Sequence, residues 1–238
     1  ERPAMAERRQ DALPIARSGR AYAHRVRARL PCLLALVLLT GCGGGSPATP
    51  GAGSPDGDPT PLPPPSLLRR LDTDTPGAAL SFAPQIGVAG EVVHVAWTDR
   101  RAGELDIHYN RSSDGGDAWL TEDIRLDTDG AGFATSAAAR LGASGETVFV
   151  VWHDDRGGPN DIRFNRSLDG GRTWLTGDRR IDTDGLGASN SREPDLVVDG
   201  LRVFVVWRDE RDGSFGVHFN RSLDGGDTWL AQDVRIDG

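Results

Sequence analysis

A strict 55-residue repeat, four strand-like runs in each copy and two recurring tryptophan positions predict an all-β chain, a β-propeller of four-stranded antiparallel blades. The repeat is anchored by Ser112-Ser113-Asp114-Gly115-Gly116-Asp117-Ala118-Trp119, Ser167-Leu168-Asp169-Gly170-Gly171-Arg172-Thr173-Trp174 and Ser222-Leu223-Asp224-Gly225-Gly226-Asp227-Thr228-Trp229. A period of this length marks stacked supersecondary units, none of which buries its apolar faces alone. The register extends well beyond this stretch: Leu71-Asp72-Thr73-Asp74, Leu126-Asp127-Thr128-Asp129 and Ile181-Asp182-Thr183-Asp184 keep it, as do Ser81, Ser136 and Ser191 and the glycines Gly90, Gly145 and Gly200.

Four strands are expected per unit, at 82–88, 92–98, 105–112 and 118–126 in the first copy. The first run ends at the recurring glycine, a turn residue. The second ends in Trp and has buried-strand composition, as in Val148-Phe149-Val150-Val151-Trp152 and Val203-Phe204-Val205-Val206-Trp207. A charged loop, Trp-x-Asp-x-Arg-x-Gly in all three copies, separates it from the third run, represented by Ile107-His108-Tyr109, Ile162-Arg163-Phe164 and Val217-His218-Phe219. The glycines of the Ser-x-Asp-x-Gly turn supply conformations that other residues reach only with strain. All six tryptophans fall on two repeat positions, so they read as packing residues needed once per blade.

The pattern Ser-x-Asp-x-Gly-x-x-Trp resembles the Asp-box, or bacterial neuraminidase repeat, of sialidase-type β-propellers. In this sequence it comprises Ser112, Asp114, Gly116 and Trp119; Ser167, Asp169, Gly171 and Trp174; and Ser222, Asp224, Gly226 and Trp229. The resemblance implies that Ser and Asp bond the turn between third and fourth strands, that the Trp packs between strands, and that a ring has six blades. Three units are present, 67–126, 127–181 and 182–236, followed by the opening of a fourth, Ile236-Asp237-Gly238. The chain is therefore read as part of a longer six-bladed propeller.

Residues 1–41 read as a leader. Arg25, Arg27 and Arg29 precede the apolar run Leu33-Leu34-Ala35-Leu36-Val37-Leu38-Leu39, the order of a secretory signal. Leu39-Thr40-Gly41-Cys42 looks like the lipobox of bacterial lipoproteins, which implies that Cys42 becomes the lipidated first residue of the mature chain. The run is too short to span a bilayer as a stable helix. Removing the leader takes Cys32 with it and leaves Cys42 alone, unable to form an internal disulfide. Residues 42–66 are the lipidated Cys and a Gly/Pro/Ser-rich tether. The expected location is the bacterial cell envelope, with the membrane as partner through the lipid.

The formal charge of −8 disfavours nucleic acid as a partner. The chain has no Lys; all its cationic side chains other than His are Arg.

The chemistry is expected on the rim formed by the second-to-third strand loops and the interblade stretches, where the resemblance implies the sialidase active site. There lie Asp99 and Arg101, Asp154 and Arg156, and Asp209 and Arg211, with Asp106, Asp161, Asp74, Asp129 and Asp184. Two readings stand: a ring of carboxylates and guanidiniums gripping a sugar acid, glycan or Ca²⁺, or ion pairs that close each blade's own loop. Asp127-Thr128-Asp129-Gly130 and Asp182-Thr183-Asp184-Gly185 echo the start of an EF-hand loop, with Gly132 and Gly187 at its sixth position. Its fifth position is Ala131 or Leu186, and its twelfth is Glu193 in only one copy, Ala138 in the other. No cofactor or metal is assigned, Ca²⁺ remaining the one considered.

Sialidases, as the resemblance implies, use three arginines, a Tyr–Glu nucleophile pair and an Asp acid/base at non-repeated positions. Tyr109 shares its repeat slot with Phe164 and Phe219, and Arg111, Arg166 and Arg221 recur beside each Asp-box, so no catalytic residue is assigned. The leading reading is a tethered, non-catalytic binding or scaffold propeller for glycans or other extracellular polymers. The alternative is a sialidase-type glycosidase whose catalytic residues lie outside these blades.

Overall fold

The computed structural model describes residues 69–238. The leader, Cys42 and the tether lie outside the described residues. Three four-stranded antiparallel sheets follow one another along the chain, each in the strand order of the sequence. The first comprises β1 (Ser81–Ala89), β2 (Val92–Asp99), β3 (Asp106–Ser112) and β4 (Ile124–Arg125). The second is β5 (Ser136–Ser144), β6 (Thr147–Asp154), β7 (Asp161–Ser167) and β8 (Arg179–Arg180), and the third β9 (Ser191–Asp199), β10 (Arg202–Asp209), β11 (Gly216–Ser222) and β12 (Val234–Arg235). These are consecutive blades of a partial β-propeller.

The fourth strands depart from expectation. The sequence predicts a strand over 118–126, yet only Ile124–Arg125 joins the sheet, with one isolated bridge from Ser112 to Trp119. The reason is that side chains take the ladder's place: the Asn110 Oδ1 accepts from the Leu120 amide, and Asn110 Nδ2 donates to the Leu120 carbonyl and the Asp123 carboxylate. Each first strand also carries a bulge absent from the sequence reading. The β1–β2 register slips between Phe82 and Gln85, and Ala83, Ala138 and Glu193 take positive φ values of 52°, 54° and 52° at equivalent positions.

Successive blades stack face to face. Ala96, Ile107 and Tyr109 of the first pack on Ala139, Val148, Val150 and Trp152 of the second. On the other face of the same strand, Phe149 and Val151, with Ile162 and Phe164, pack on Val203, Val205 and Trp207 of the third. Strand alternation thus explains why the second run is apolar at nearly every position: both faces of the middle blade are buried. Trp174 and Trp229 of the Ser-x-Asp-x-Gly turns lie between blades rather than between strands of one blade. Trp174 meets Tyr109 edge-on at 4.8 Å between centroids, and Trp229 meets Phe164 at 5.1 Å.

The last glycine of the turn has a tertiary role besides its turn conformation. Gly171 has φ +79°, and a Cβ there would lie 1.9 Å from the Tyr109 hydroxyl of the preceding blade. Gly226 sits likewise against Phe149 and Phe164.

Candidate functional site

Each Ser-x-Asp-x-Gly turn is closed from within. The Ser112 hydroxyl donates to Asp114 Oδ1 at 2.6 Å and accepts from the Gly116 amide at 2.8 Å, while Asp114 Oδ1 accepts from the Ala118 amide. Ser167 with Asp169 and Ser222 with Asp224 repeat the arrangement. The Thr228 hydroxyl and amide and the Ser222 hydroxyl hold the Asp224 carboxyl well below the usual carboxylate range. The turns rest on the first hairpin of their own blade, as where the Gly170 amide donates to the Glu146 carbonyl at 2.7 Å.

The opposite rim carries the Trp-x-Asp-x-Arg loops, packed against the interblade stretches: the Glu104 amide donates to the Gly132 carbonyl and the Ser136 amide to the Leu105 carbonyl. Asp99 is buried and accepts from the Ser81 hydroxyl, the Trp97 indole, the Arg101 amide and both Arg101 Nε and Nη2. Arg101 Nη1 reaches on to Asp123 at 2.8 Å. Arg156 spans Asp154 and Asp178, and Arg211 spans Asp209 and Asp233, in the same way. Burial alone would push the Asp99 carboxyl up, but the Arg101 and Trp97 bonds outweigh it and hold it well below the usual range. Each of these guanidiniums and carboxylates is committed within its own blade, tying the loop after the second strand to the segment before the fourth.

Two acidic triads line the interblade stretches. Asp106, Asp127 and Asp129 each offer an oxygen within 4.8 Å of the others, as do Asp161, Asp182 and Asp184. Arg125 Nη1 lies 3.3, 2.9 and 3.4 Å from the first three, and Arg180 lies among the second three. Burial, the neighbouring Asp129 and the charge on Asp106 push the Asp127 carboxyl up to about 8. Asp182 is pushed up to about 8, by burial first, with Asp161 and Asp184 adding to it. The oxygen spacing suits Ca²⁺, but a guanidinium already serves each triad as its cation. Glu193, at the twelfth position of the EF-hand echo, turns away and pairs with Arg208 at 2.8 Å.

A different group on this rim breaks the 55-residue register, and of its members the sequence reading singles out only Glu193. At the junction of the second and third blades, Asn160, Asn190, Arg192, Glu193, Arg208, Glu210 and Phe215 are contiguous. Their counterparts in the first copy are Leu105, Leu80, Phe82, Ala83, Thr98, Arg100 and Leu105 again for Phe215. Asn190 Nδ2 donates to Glu210 at 3.0 Å and its Oδ1 accepts from Arg192 at 3.0 Å. The Asn160 amide, in the orientation that gives its oxygen donors, accepts from Arg192 Nη2 and Nε at 3.1 Å. Arg208 stacks 3.9 Å over the exposed Phe215 ring. His153 beside them is held down to about 4, by burial first and then by the Arg192 charge. The bulge at Glu193 aims Arg192 and Glu193 out of the sheet's regular alternation. The signal that finds this group is non-repetition of polar residues inside an otherwise strict repeat.

Tyr109, by contrast, is fully buried, its hydroxyl 2.7 Å from His94 Nδ1.

No protein-family model matches the chain, and no curated protein matches it. Among solved structures, the chain is similar to a family 117 glycoside hydrolase, Zg3597, of Zobellia galactanivorans, with 12% identity, a TM-score of 0.48, and 71% of this chain and 60% of that one covered. It is similar to Penicillium chrysogenum α-L-arabinanase at 16% identity and TM-score 0.45, covering 65% and 49%. Trypanosoma rangeli sialidase in complex with the inhibitor DANA gives 10% identity and TM-score 0.48, covering 66% and 31%. The chain thus spans between about a third and three-fifths of the length of these structures, at similarities too low to bear on activity or ligand.

Proposed function

We propose that this protein is an exported, lipid-anchored β-propeller that binds a glycan or a similar extracellular polymer without transforming it, through the non-repeating cluster at the junction of its second and third blades. The observation that carries this reading is the cluster itself. Propeller packing needs the residues that recur; it does not need Asn190, Arg192, Glu210 and Phe215, which occur once. Planar amide, guanidinium and carboxylate groups present paired donors and acceptors to vicinal hydroxyls, and an exposed ring offers an apolar face to a sugar. The Asp–Arg pairs of the three loops are spent on loop closure and are assigned no ligand.

The test is a glycan array probed with the full chain, followed by titration of the best ligand. Asn190→Ala and Arg192→Ala, which remove hydrogen-bonding groups worth about 1–3 kcal/mol each, are expected to weaken binding at least tenfold with an unchanged circular dichroism spectrum. Release of the fluorophore from a fluorogenic sialoside by the wild-type chain would overturn the non-catalytic reading. The anchor is tested by incorporation of labelled fatty acid in cells, expected to be lost in Cys42→Ser.

A further inference from the structure

The rim that carries the non-repeating cluster also carries large apolar side chains that the repeat does not require. The turns before each blade's first strand share one geometry: the Thr75, Gly130 and Gly185 carbonyls accept from the Ala78, Phe133 and Ala188 amides, each at 2.9 Å. Two of these turns hold a large exposed side chain, and at different positions. Phe133 is 72% and Leu186 62% exposed, where the other copies have alanine or proline. Phe215, 45% exposed, ends the loop of the third blade in the slot of Leu105 and Asn160. A single exposed apolar residue is ordinary on a protein surface. Several on one rim, each outside the repeat, mark a binding surface.

Backbone bonds fix the order of these groups along the rim. The Gly132 carbonyl accepts from the Glu104 amide of the first blade's loop, and the Thr135 carbonyl accepts from the Asp155 amide of the second's, so Phe133 stands between the two loops. Leu186 leans on the second blade's loop, its Cγ 3.0 Å from where a Cβ on Gly157 would lie. Four residues on, the Asn190 carbonyl accepts from the Glu210 amide of the third blade's loop. Between Phe133 and Leu186 the second blade's loop reads Gly157-Gly158-Pro159, all exposed and none with a polar side chain. At these positions the first blade has Glu104, and the third has Asp212 and Ser214. An apolar strip therefore runs from the first junction between blades to the third blade, with Asn190 and Arg192 beside its far end.

We infer that the ligand is the interior of a neutral, linear polysaccharide lying along this strip over several sugar units, rather than a single terminal sugar; the inference rests on the binding reading proposed above. Pyranoses with mainly equatorial hydroxyls have apolar C–H faces and polar edges. That is the complement of a strip of rings and aliphatic groups bordered by a planar amide and a guanidinium. Charge selects a neutral chain: Glu193 and Glu210 border the strip and the protein's formal charge is −8, so a polyuronate or a sulfated chain is repelled. The bonds that seat the turns, including those from the Gly132 and Gly187 amides to Asp106 and Asp161, hold Phe133 and Leu186 in place before a ligand arrives. Such preorganisation lowers the ordering cost of binding.

The test is titration calorimetry of the full chain with cellohexaose, xylohexaose and mannohexaose, each against its own disaccharide, and with hexagalacturonate as the charged control. At least one neutral hexasaccharide is expected to bind about tenfold or more tighter than its disaccharide and than hexagalacturonate. Phe133→Ala and Pro159→Glu, both at exposed positions, are each expected to weaken that hexasaccharide about tenfold with an unchanged circular dichroism spectrum. Hexasaccharide affinity equal to that of the disaccharide, affinity untouched by both variants, or tighter binding of hexagalacturonate would overturn the strip and leave the polar cluster as the binding site. Binding of none of the three neutral hexasaccharides would overturn it too; the cluster would then be judged by the array and by Asn190→Ala alone.

Discussion

At Gly171 the backbone has φ +79° and the neighbouring blade leaves no room for a methyl group, the Tyr109 hydroxyl lying in its place. Gly171→Ala is therefore expected to cost about 1–3 kcal/mol through overpacking, added to backbone strain, read as a lower denaturation midpoint at unchanged m-value. The adjacent pair is a second residue-level case. His94 and Tyr109 hydrogen-bond in a buried position where the other blades hold Phe149 with Phe164 and Phe204 with Phe219. Replacing both partners of a buried polar pair by apolar groups of similar shape is close to neutral. The double variant His94→Phe/Tyr109→Phe is expected to match or exceed wild-type stability, while Tyr109→Phe alone, which strands the imidazole, is expected to lose about 1–3 kcal/mol in chemical denaturation.

Among the elements, the loop after each second strand depends on one buried carboxylate. Asp209 accepts from Arg211, Trp207, Ser189 and Ser191. Asp209→Asn leaves Arg211 with Asp233 alone and is expected to destabilise the chain by about 3 kcal/mol, as loss of one partner of a buried ion pair does. Amide exchange should accelerate first in residues 210–216, which the pair closes. If exchange instead rises uniformly, the pair supports the whole blade rather than this loop.

For the whole molecule, stability should fall above about pH 6.5. His94 and His153 have folded pKa values of about 4 against 6.5, so the unfolded chain binds more protons between these values and stability rises with pH through that window. Asp127 and Asp182 are at about 8 against 3.8, so there the folded chain binds more protons and stability falls as pH rises towards 8. Above about 6.5 only the second effect remains. Between about 4 and 6.5 the two histidines and the two carboxyls act in opposite directions and nearly cancel, so the thermal midpoint is expected to be level there and to decline from about pH 6.5 towards pH 8, and Asp127→Asn with Asp182→Asn should abolish that decline. A flat profile between pH 6 and 8 in the wild type would contradict it.

What the sequence by itself determined is what recurs. A 55-residue period, apolar runs ending in Trp, and glycines at turn positions specify local conformation and burial pattern, and these repeat because each blade solves the same packing problem. The first three strands of each blade fall within a residue or two of expectation. The fourth does not, since Asn110 and Asp123 replace ladder bonds with side-chain bonds that have no periodic signature. Tertiary structure alone decided that the rim Asp and Arg residues pair within their own blades, that Arg125 and Arg180 sit inside the acidic triads, and that Asn160, Asn190, Arg192 and Phe215, up to 55 residues apart in the chain, meet on one surface. Periodicity encodes which face a side chain takes; which partner waits on that face depends on how neighbouring blades stack.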